Sequence, residues 1–316
     1  MTDREMDRRN LRLRESGPES DKVGRGDLVG SWDLSTDMAG FLGSLPPLLA
    51  VERMRALARA LVDARRRSAT RLLMYGGHVI KCGLGPLLCD WIRRGVLSSL
   101  ATNGAGTIHD LELAFLGTTS EDVESGIADG SFGMRRRTCE LFSKAVEKAA
   151  KSNVSLGEAL GRLVLDEGAF PDESPLACAM ELGRPVSVHH CLGGDIVHPY
   201  PSLSWSDLGA AAEHDFDLMV RRVTDLKNGV VVNVGSAVVM PEVFLKALTT
   251  ARNLGSDASD ITAANLDMIQ HYRPENNVVR RPTEALGGHP IQLTGHHELM
   301  LPLLDLFVRV EEKRDA

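Results

Sequence analysis

The chain has 316 residues, of which 43% are hydrophobic, 25% charged and only 4% aromatic, with a formal net charge of −7. That length supports a substantial core, and the low aromatic content makes that core aliphatic. An acidic balance argues against a nucleic-acid binder, which needs a basic face, and no apolar run reaches the roughly 18 to 20 residues that span a bilayer.

Residues 1–29 mix charge, Gly and Ser without hydrophobic period and read as a flexible tail. They carry no apolar stretch of the secretory kind, so a cytoplasmic protein is expected. Residues 30–316 read as a single domain. An amphipathic helix is predicted over 50–66, with Met54, Leu57, Leu61 and Val62 at helical spacing. "ATRLLMYGG" is a short apolar run meeting Gly76-Gly77, after which one helix-like stretch ends at Gly95. "VLSSLATNGAG" repeats that plan, and "HDLELAFLG" then reads as helix. "CELFSKAVEKAAKS" and "SLGEALGRLVLDEG" are further helices, the second with Ser155 and Glu158 at capping-box spacing. "PVSVHHCL" is a strand. The helix "SDLGAAAEHDFDLMVRRVTDL" takes Ser206 as its N-cap. "GVVVNVGS" is a buried strand, and Pro241 fits the first turn of the helix after it. "DITAANLDM" is a late strand, and "HHELMLPLLDLFVRVEEKR" closes the chain as a helix. Apolar runs of four to seven residues alternate with longer helices. The expected fold is α/β, doubly wound, with a mainly parallel sheet covered by helices on both faces.

Ligands of such sheets collect at the carboxyl ends of strands. Four strand ends combine glycine with polar or ionisable residues: 75–83, 101–110, 189–201 and 233–242. Glycine lets backbone N–H groups approach a phosphate, which points to a nucleotide-like ligand, although strand-to-helix turns also need glycine for themselves. No segment matches GxGxxG, GxxxxGK[ST] or GxSxG, which disfavours a standard Rossmann site, a P-loop and a serine hydrolase. His189, His190 and His198 fall within ten residues of each other around Asp195, and His289, His296 and His297 cluster near the end. Zinc or iron would accept such donors, but the spacing matches no HExxH motif. Adjacent His189 and His190 would also face opposite sides of a strand. Structural or substrate-facing roles are preferred, and no metal ligand is assigned. The five cysteines show no CxxC pairing.

The stretch "MYGGHVIKCGLGPLLCDWIRRGVLSSLATNGAGTIHDLELAFLG" resembles the N-terminal part of deoxyhypusine synthase, and "VVVNVGSAVVMPEVFLKAL" resembles a late strand-turn-helix of the same family. The resemblance implies NAD bound at strand ends, a small amine or polyamine substrate, and a homo-oligomer, dimer or tetramer, with sites near subunit interfaces. It implies cofactor contacts from Gly77, His78 and Lys81 in the first loop. Thr102, Asn103, Gly104 and Gly106 would form the phosphate or ribose turn, and Gly235 and Ser236 the late cofactor turn. His109 and Asp110 fall where the family has acidic residues. Trp205 matches the family's Ser-Trp-Gly-Lys motif, but Ser206-Asp207 stand where Gly-Lys is expected, and no lysine occurs between Lys151 and Lys227. An aspartate forms no imine, so aminobutyl transfer through a lysine is not expected unless Lys81 or Lys227 substitutes. Three readings follow. The first is an NAD-binding enzyme acting on a small amine, with His109, His189 or His198 as general base and Asp195 or Asp207 orienting it, and Trp205 and Asp110 at the substrate. The second is a hydrolase or lyase using the same histidines and Asp195. The third is a non-catalytic nucleotide-binding homologue.

Overall fold

The computed structural model describes Arg12 and residues 23–314. The tail expected over 1–29 therefore lies mostly outside the described residues; within it, Arg25–Asp27 forms one 3-10 turn. The elements follow in chain order. Helices α1 (Met38–Ser44) and α2 (Leu49–Arg66) precede strand β1 (Arg71–Tyr75), α3 (Gly77–Lys81) and α4 (Gly85–Arg93). Strand β2 (Ser99–Asn103) leads into α5 (Gly104–Leu116), α6 (Val123–Asp129), α7 (Arg136–Ser152), α8 (Leu156–Glu167) and α9 (Pro175–Glu181). Then come β3 (Val186–His189), α10 (Trp205–Thr224), β4 (Val230–Val234), α11 (Val239–Asn253) and β5 (Ile261–Asp267). A π-helical segment (Pro274–Arg280), α12 (Arg281–Leu286), β6 (Gly288–Thr294) and α13 (His297–Lys313) complete the fold.

The strands form one six-stranded sheet in the order β3-β2-β1-β4-β5-β6, and every pairing is parallel. The fold is thus a doubly wound α/β fold. All residues of β1, β4 and β5 are buried, because both faces of a parallel sheet are covered by its crossover helices. Alternate residues feed different cores. Leu73, Tyr75, Val230, Val232 and Val234 pack with α2, α4, α5 and α13. Leu72, Met74 and Val231 pack with α10 and α11 through Met219, Val223, Met240 and Phe244. Asp215 of α10 ties layers together inside this packing: its Oδ2 accepts the Leu156 N–H at the start of α8, and its Oδ1 accepts the Val188 N–H of β3, both at 2.9 Å.

Three sequence expectations need correction. The helix after β1 is two helices, because Gly83 at φ +78 breaks it. The α10 cap is Ser204 rather than Ser206: its hydroxyl accepts the Asp207 N–H at 3.2 Å. Strand β6 was not anticipated; it is an edge strand carrying Pro290, half-exposed along its length, so it lacks the apolar run that marks β1 or β4. Among the described residues no helix is long and apolar enough to cross a membrane.

Candidate functional site

The strand order reverses between β1 and β4, and in open α/β sheets ligands bind at the carboxyl edge beside such a switch point. All four glycine-bearing loops lie on that edge. Past the ends of the strands the ladder continues for one bond each: the Gly76 N–H donates to Val234 O, Gly235 to Leu266 O, and Gly295 to Asp267 O. The loops therefore start from fixed positions.

The glycines are explained first by packing. A Cβ on Gly76 would occupy the position of the Gly235 carbonyl oxygen, so the β1 and β4 turns touch backbone to backbone. Gly235 has φ +61, and a Cβ there would sit 2.7 Å from His297 Cε1. Gly77 makes room for Ala105 and His109 of α5. Gly106 makes room for Thr102, whose hydroxyl donates to Tyr75 O at 2.9 Å and is buried. Asn103 caps α5, its Oδ1 accepting the Gly106 N–H at 3.0 Å. Gly104 gives its space to the Asp195 carboxylate. The expected phosphate turn is thus already filled: a side-chain anion stands at the α5 N-terminus, where the helix dipole favours it.

Asp195 belongs to the loop after β3. His190 Nδ1 lies 3.0 Å from Asp195 Oδ2, and His198 Nε2 lies 3.7 Å from the same oxygen. Together the three donor sets lie close enough to suggest a metal centre. The tautomer of His198 argues otherwise. Its Nδ1 accepts backbone N–H groups from Gly193 at 3.0 Å and Asp195 at 3.3 Å. Nδ1 therefore carries no proton, the ring's proton sits on Nε2, and the nitrogen facing Asp195 has no lone pair to give a metal. Histidine ligands show the reverse pattern, with the non-ligating nitrogen donating to an acceptor. The group is better read as a carboxylate hydrogen-bonded to His190, with His198 Nε2 beyond hydrogen-bond reach and no Lys or Arg paired to it among the described residues. Trp205, half-exposed, lies against His198 with ring centroids 5.3 Å apart.

Beside Asp195 a cavity of about 210 Å³ opens between α3, α5 and the segment linking α5 to α7. Lys81, His109, Glu121 and Asp195 bring charge to it, and Ile108 and Phe132 give it apolar wall. His109 is the notable group. Its Nδ1 is 2.7 Å from Thr119 Oγ1, and the Thr119 hydroxyl is 2.6 Å from Glu112 Oε2. Glu112 is buried and also receives the Thr138 hydroxyl at 3.0 Å and the Arg135 guanidinium at 3.4 Å, so it acts only as an acceptor here. The Thr119 proton then points at Glu112, its lone pair accepts His109 Nδ1–H, and His109 Nε2 is left as the free base nitrogen. Burial lowers the His109 pKa, with the Glu112 charge pulling the other way.

A second group stands at the switch itself. His78 and His297 approach Nδ1 to Nδ1 at 2.9 Å, so one donates and the other accepts. Cys82 Sγ lies 3.4 Å from His78 Nδ1, and Asp267 Oδ1 lies 3.6 Å from the buried, unpartnered His297 Nε2. Burial and the His297 charge lower the His78 pKa. Around these groups the loops after β4, β5 and β6 expose Val238, Ile269, Tyr272 and Leu299.

Other expected site residues are placed elsewhere. His189 is buried with Nε2 2.9 Å from Ser187 Oγ, and burial pushes its pKa down to about 3; it faces the core and cannot serve as the base. Asp110 is buried against α9, accepting the Leu176 N–H at 3.2 Å, and burial pushes its pKa up to about 7; it is structural rather than substrate-facing. Ser236 is buried in the turn after β4, and its hydroxyl accepts the Met240 N–H at 3.2 Å. Asp207 is in the first turn of α10, on the side of Lys151, whose pKa its charge helps raise. Lys227 pairs with Asp257 at 2.5 Å and directly precedes β4, at the opposite edge of the sheet, so it cannot stand in for the missing lysine. That opposite edge also carries the larger hollow, about 800 Å³, between α2 and the amino ends of β4, β5 and β6; it contains none of the paired imidazoles described above. Sequence reasoning missed Glu112, Thr119 and Asp267, and it noted His297 only within a cluster. The spacing of His109 and Glu112 on one helix face was readable.

No protein-family model and no curated protein matches the sequence. Solved structures do. A putative deoxyhypusine synthase from Entamoeba histolytica superposes with a TM-score of 0.53 at 9% identity, covering 88% of this chain and 96% of that one. The fold is deoxyhypusine synthase-like. A conserved putative LOR/SDH protein from Methanococcus maripaludis S2 aligns at a TM-score of 0.51 and 17% identity, over 85% of this chain and 71% of that one. AgrE, solved in complex with ornithine and NAD+, aligns at 0.51 and 14% identity over 82% of this chain but 33% of its own, so this chain spans about a third of AgrE. At these identities the likeness is one of fold.

Proposed function

We propose that this chain is an enzyme of the deoxyhypusine synthase-like fold that binds NAD at the switch between β1 and β4 and acts on a small amine in the adjoining cavity. The observation that carries the reading is His109: a part-buried relay through Thr119 to Glu112 fixes its tautomer and leaves Nε2 free in a cavity shared with the Asp195 carboxylate. A proton acceptor requires such a fixed tautomer with one ring nitrogen left open. Residues 30–316 are read as one folded unit serving this site.

The residues fit the cofactor at one place and not at another. At the β4–β6 end, Asp267 offers an acceptor for ribose hydroxyls, His297 Nε2 is a buried nitrogen without a partner, and the exposed Val238, Ile269 and Leu299 suit the flat face of a base. At the α5 N-terminus the Asp195 carboxylate already fills the space over Gly104, so the pyrophosphate is not assigned to Asn103, Gly104 and Gly106. When bound, NAD supplies a hydride acceptor. The chain's own residues supply the rest. Asp195, held by His190, positions a substrate ammonium, and His109 Nε2 holds the proton that the ammonium releases. The relay then stabilises the imidazolium through Thr119 and Glu112. Aminobutyl transfer is not part of the proposal, since no lysine occupies the Ser206-Asp207 position. The complex of AgrE with ornithine and NAD+ supports the pairing of an amine with NAD on this fold. The exposed apolar residues around the switch also support a homo-oligomer with sites near subunit interfaces, measurable by light scattering.

The test is calorimetric titration of the full chain with NAD+, on wild type and Asp267→Asn. Binding that weakens at least tenfold in the variant, with an unchanged melting temperature, is expected. No heat of binding at millimolar NAD+ would remove the cofactor from the proposal.

A further inference from the structure

The small cavity holds charges of both signs that its own side chains leave uncompensated. Asp195 is supported only by imidazoles, with no Lys or Arg within ion-pair distance among the described residues. Lys81, exposed at the end of α3, makes no ion pair or hydrogen bond among the described residues, and it lines the same cavity. Glu121 and Glu112, by contrast, are engaged by Arg135. So a carboxylate held by His190 but met by no Lys or Arg among the described residues, and one ammonium without an ion pair, line a space of about 210 Å³. A space of that size admits a small metabolite.

A ligand that neutralises both groups carries an ammonium and a carboxylate itself. A diamine or polyamine meets Asp195 well but brings nothing to Lys81, which stays without a counter-ion. Charge-assisted hydrogen bonds to a ligand are roughly twice as strong as neutral ones, so a missing partner costs recognition. We infer that the cavity takes a small amino acid as its zwitterion, with the ammonium on Asp195 beside His109 Nε2 and the carboxylate on Lys81. This rests on the reading of the cavity as the substrate pocket, and it separates this chain's substrate from a polyamine.

The test uses two probes that differ by one carboxylate, ornithine and 1,4-diaminobutane, with alanine as a shorter amino acid. Each is titrated into the full chain without NAD+. At least one amino acid is expected to bind, and ornithine at least tenfold more tightly than the diamine. Lys81→Met should erase that preference, and Asp195→Asn should weaken every probe at least tenfold. Lys81 is exposed, so its variant tests recognition without threatening folding, and equal melting temperatures confirm this. A diamine that binds as well as ornithine overturns the inference. So does a Lys81→Met protein that keeps the preference, or the failure of all probes to bind. The outcome is independent of the cofactor. NAD+ binding without amino-acid binding sinks this inference alone, whereas amino-acid binding without NAD+ binding sinks the cofactor reading alone.

Discussion

Replacing Thr119 by Val removes the hydroxyl that joins His109 to Glu112 while keeping the side chain's shape. Two short hydrogen bonds go with it, 2.7 Å to the imidazole and 2.6 Å to the carboxylate. The His109 Nδ1–H then has no acceptor in a half-buried place. Leaving such a donor unpaired costs about 1–3 kcal/mol, and about 1.4 kcal/mol is a factor of ten in an equilibrium. The tautomer with Nε2 free should therefore fall by about ten- to a hundredfold relative to the other. Nitrogen-15 NMR of histidine-labelled protein reads this without knowledge of the substrate, because protonated and unprotonated ring nitrogens differ widely in shift. Wild type should show His109 protonated at Nδ1 at neutral pH, and Thr119→Val should show a mixture or the opposite tautomer. A wild-type ring protonated at Nε2, or an unchanged spectrum in the variant, would refute the relay and with it the role of His109 as base. Once a substrate is in hand, turnover should be lost as pH falls through a His109 pKa below the usual 6.5, the direction that burial imposes.

Asp215→Ala orphans the N–H groups of Leu156 and Val188 inside the protein; at about 1–3 kcal/mol each, calorimetry should show a loss of about 2–6 kcal/mol. Stability should also fall as pH rises from about 4 towards 7, because burial raises Asp110 and Asp215 to about 7 from 3.8. The folded state then binds more protons than the unfolded state in that window, so protonation favours folding. Roughly three pH units at about 1.36 kcal/mol each set an upper bound near ~4 kcal/mol per group, and urea midpoints at pH 5 and 7.5 would expose a flat profile if the reasoning is wrong. Gly235→Ala forces a side chain into positive φ against His297 and should cost about 1–3 kcal/mol; an unchanged melting temperature would show that the β4 turn relaxes freely.

The sheet was readable because its central strands are continuous apolar runs ended by glycine. "LLMY", "VVVNV" and the late "ITAANLD" can hardly be anything but strands buried on both faces. Strand β6 was not readable for the same reason inverted: Gly288, His289 and Pro290 carry edge character, and losing that strand hid that the closing helix, although expected, begins at the sheet's carboxyl edge with His297. The site was half legible. His78, Lys81, His109 and Asp195 do come to that edge. Their roles could not be assigned in advance, because a glycine that makes room for a neighbour's carbonyl, as Gly76 does, has the same letter as one that makes room for a phosphate.

The loop around Asn103 shows what decides between those uses. An α-helix preceded by such a turn is a ready anion site, and α5 has one. The anion it meets comes from the same chain, ninety residues later, as Asp195. A phosphate placed there would add a second negative charge within about 4 Å. At an effective dielectric near ~20 that repulsion is about 4 kcal/mol, more than the roughly 0.3–2 kcal/mol that the helix terminus offers an anion. Admitting it would also require breaking the 3.0 Å contact between Asp195 and His190. The carboxyl edge is therefore divided by charge. Its β2–β3 half presents the Asp195 carboxylate and the His109 imidazole, and its β4–β6 half presents Asp267, His297 and apolar surface. On the proposed reading, a substrate amine and a nucleotide would lie on the two sides of His78 without competing for the same helix terminus.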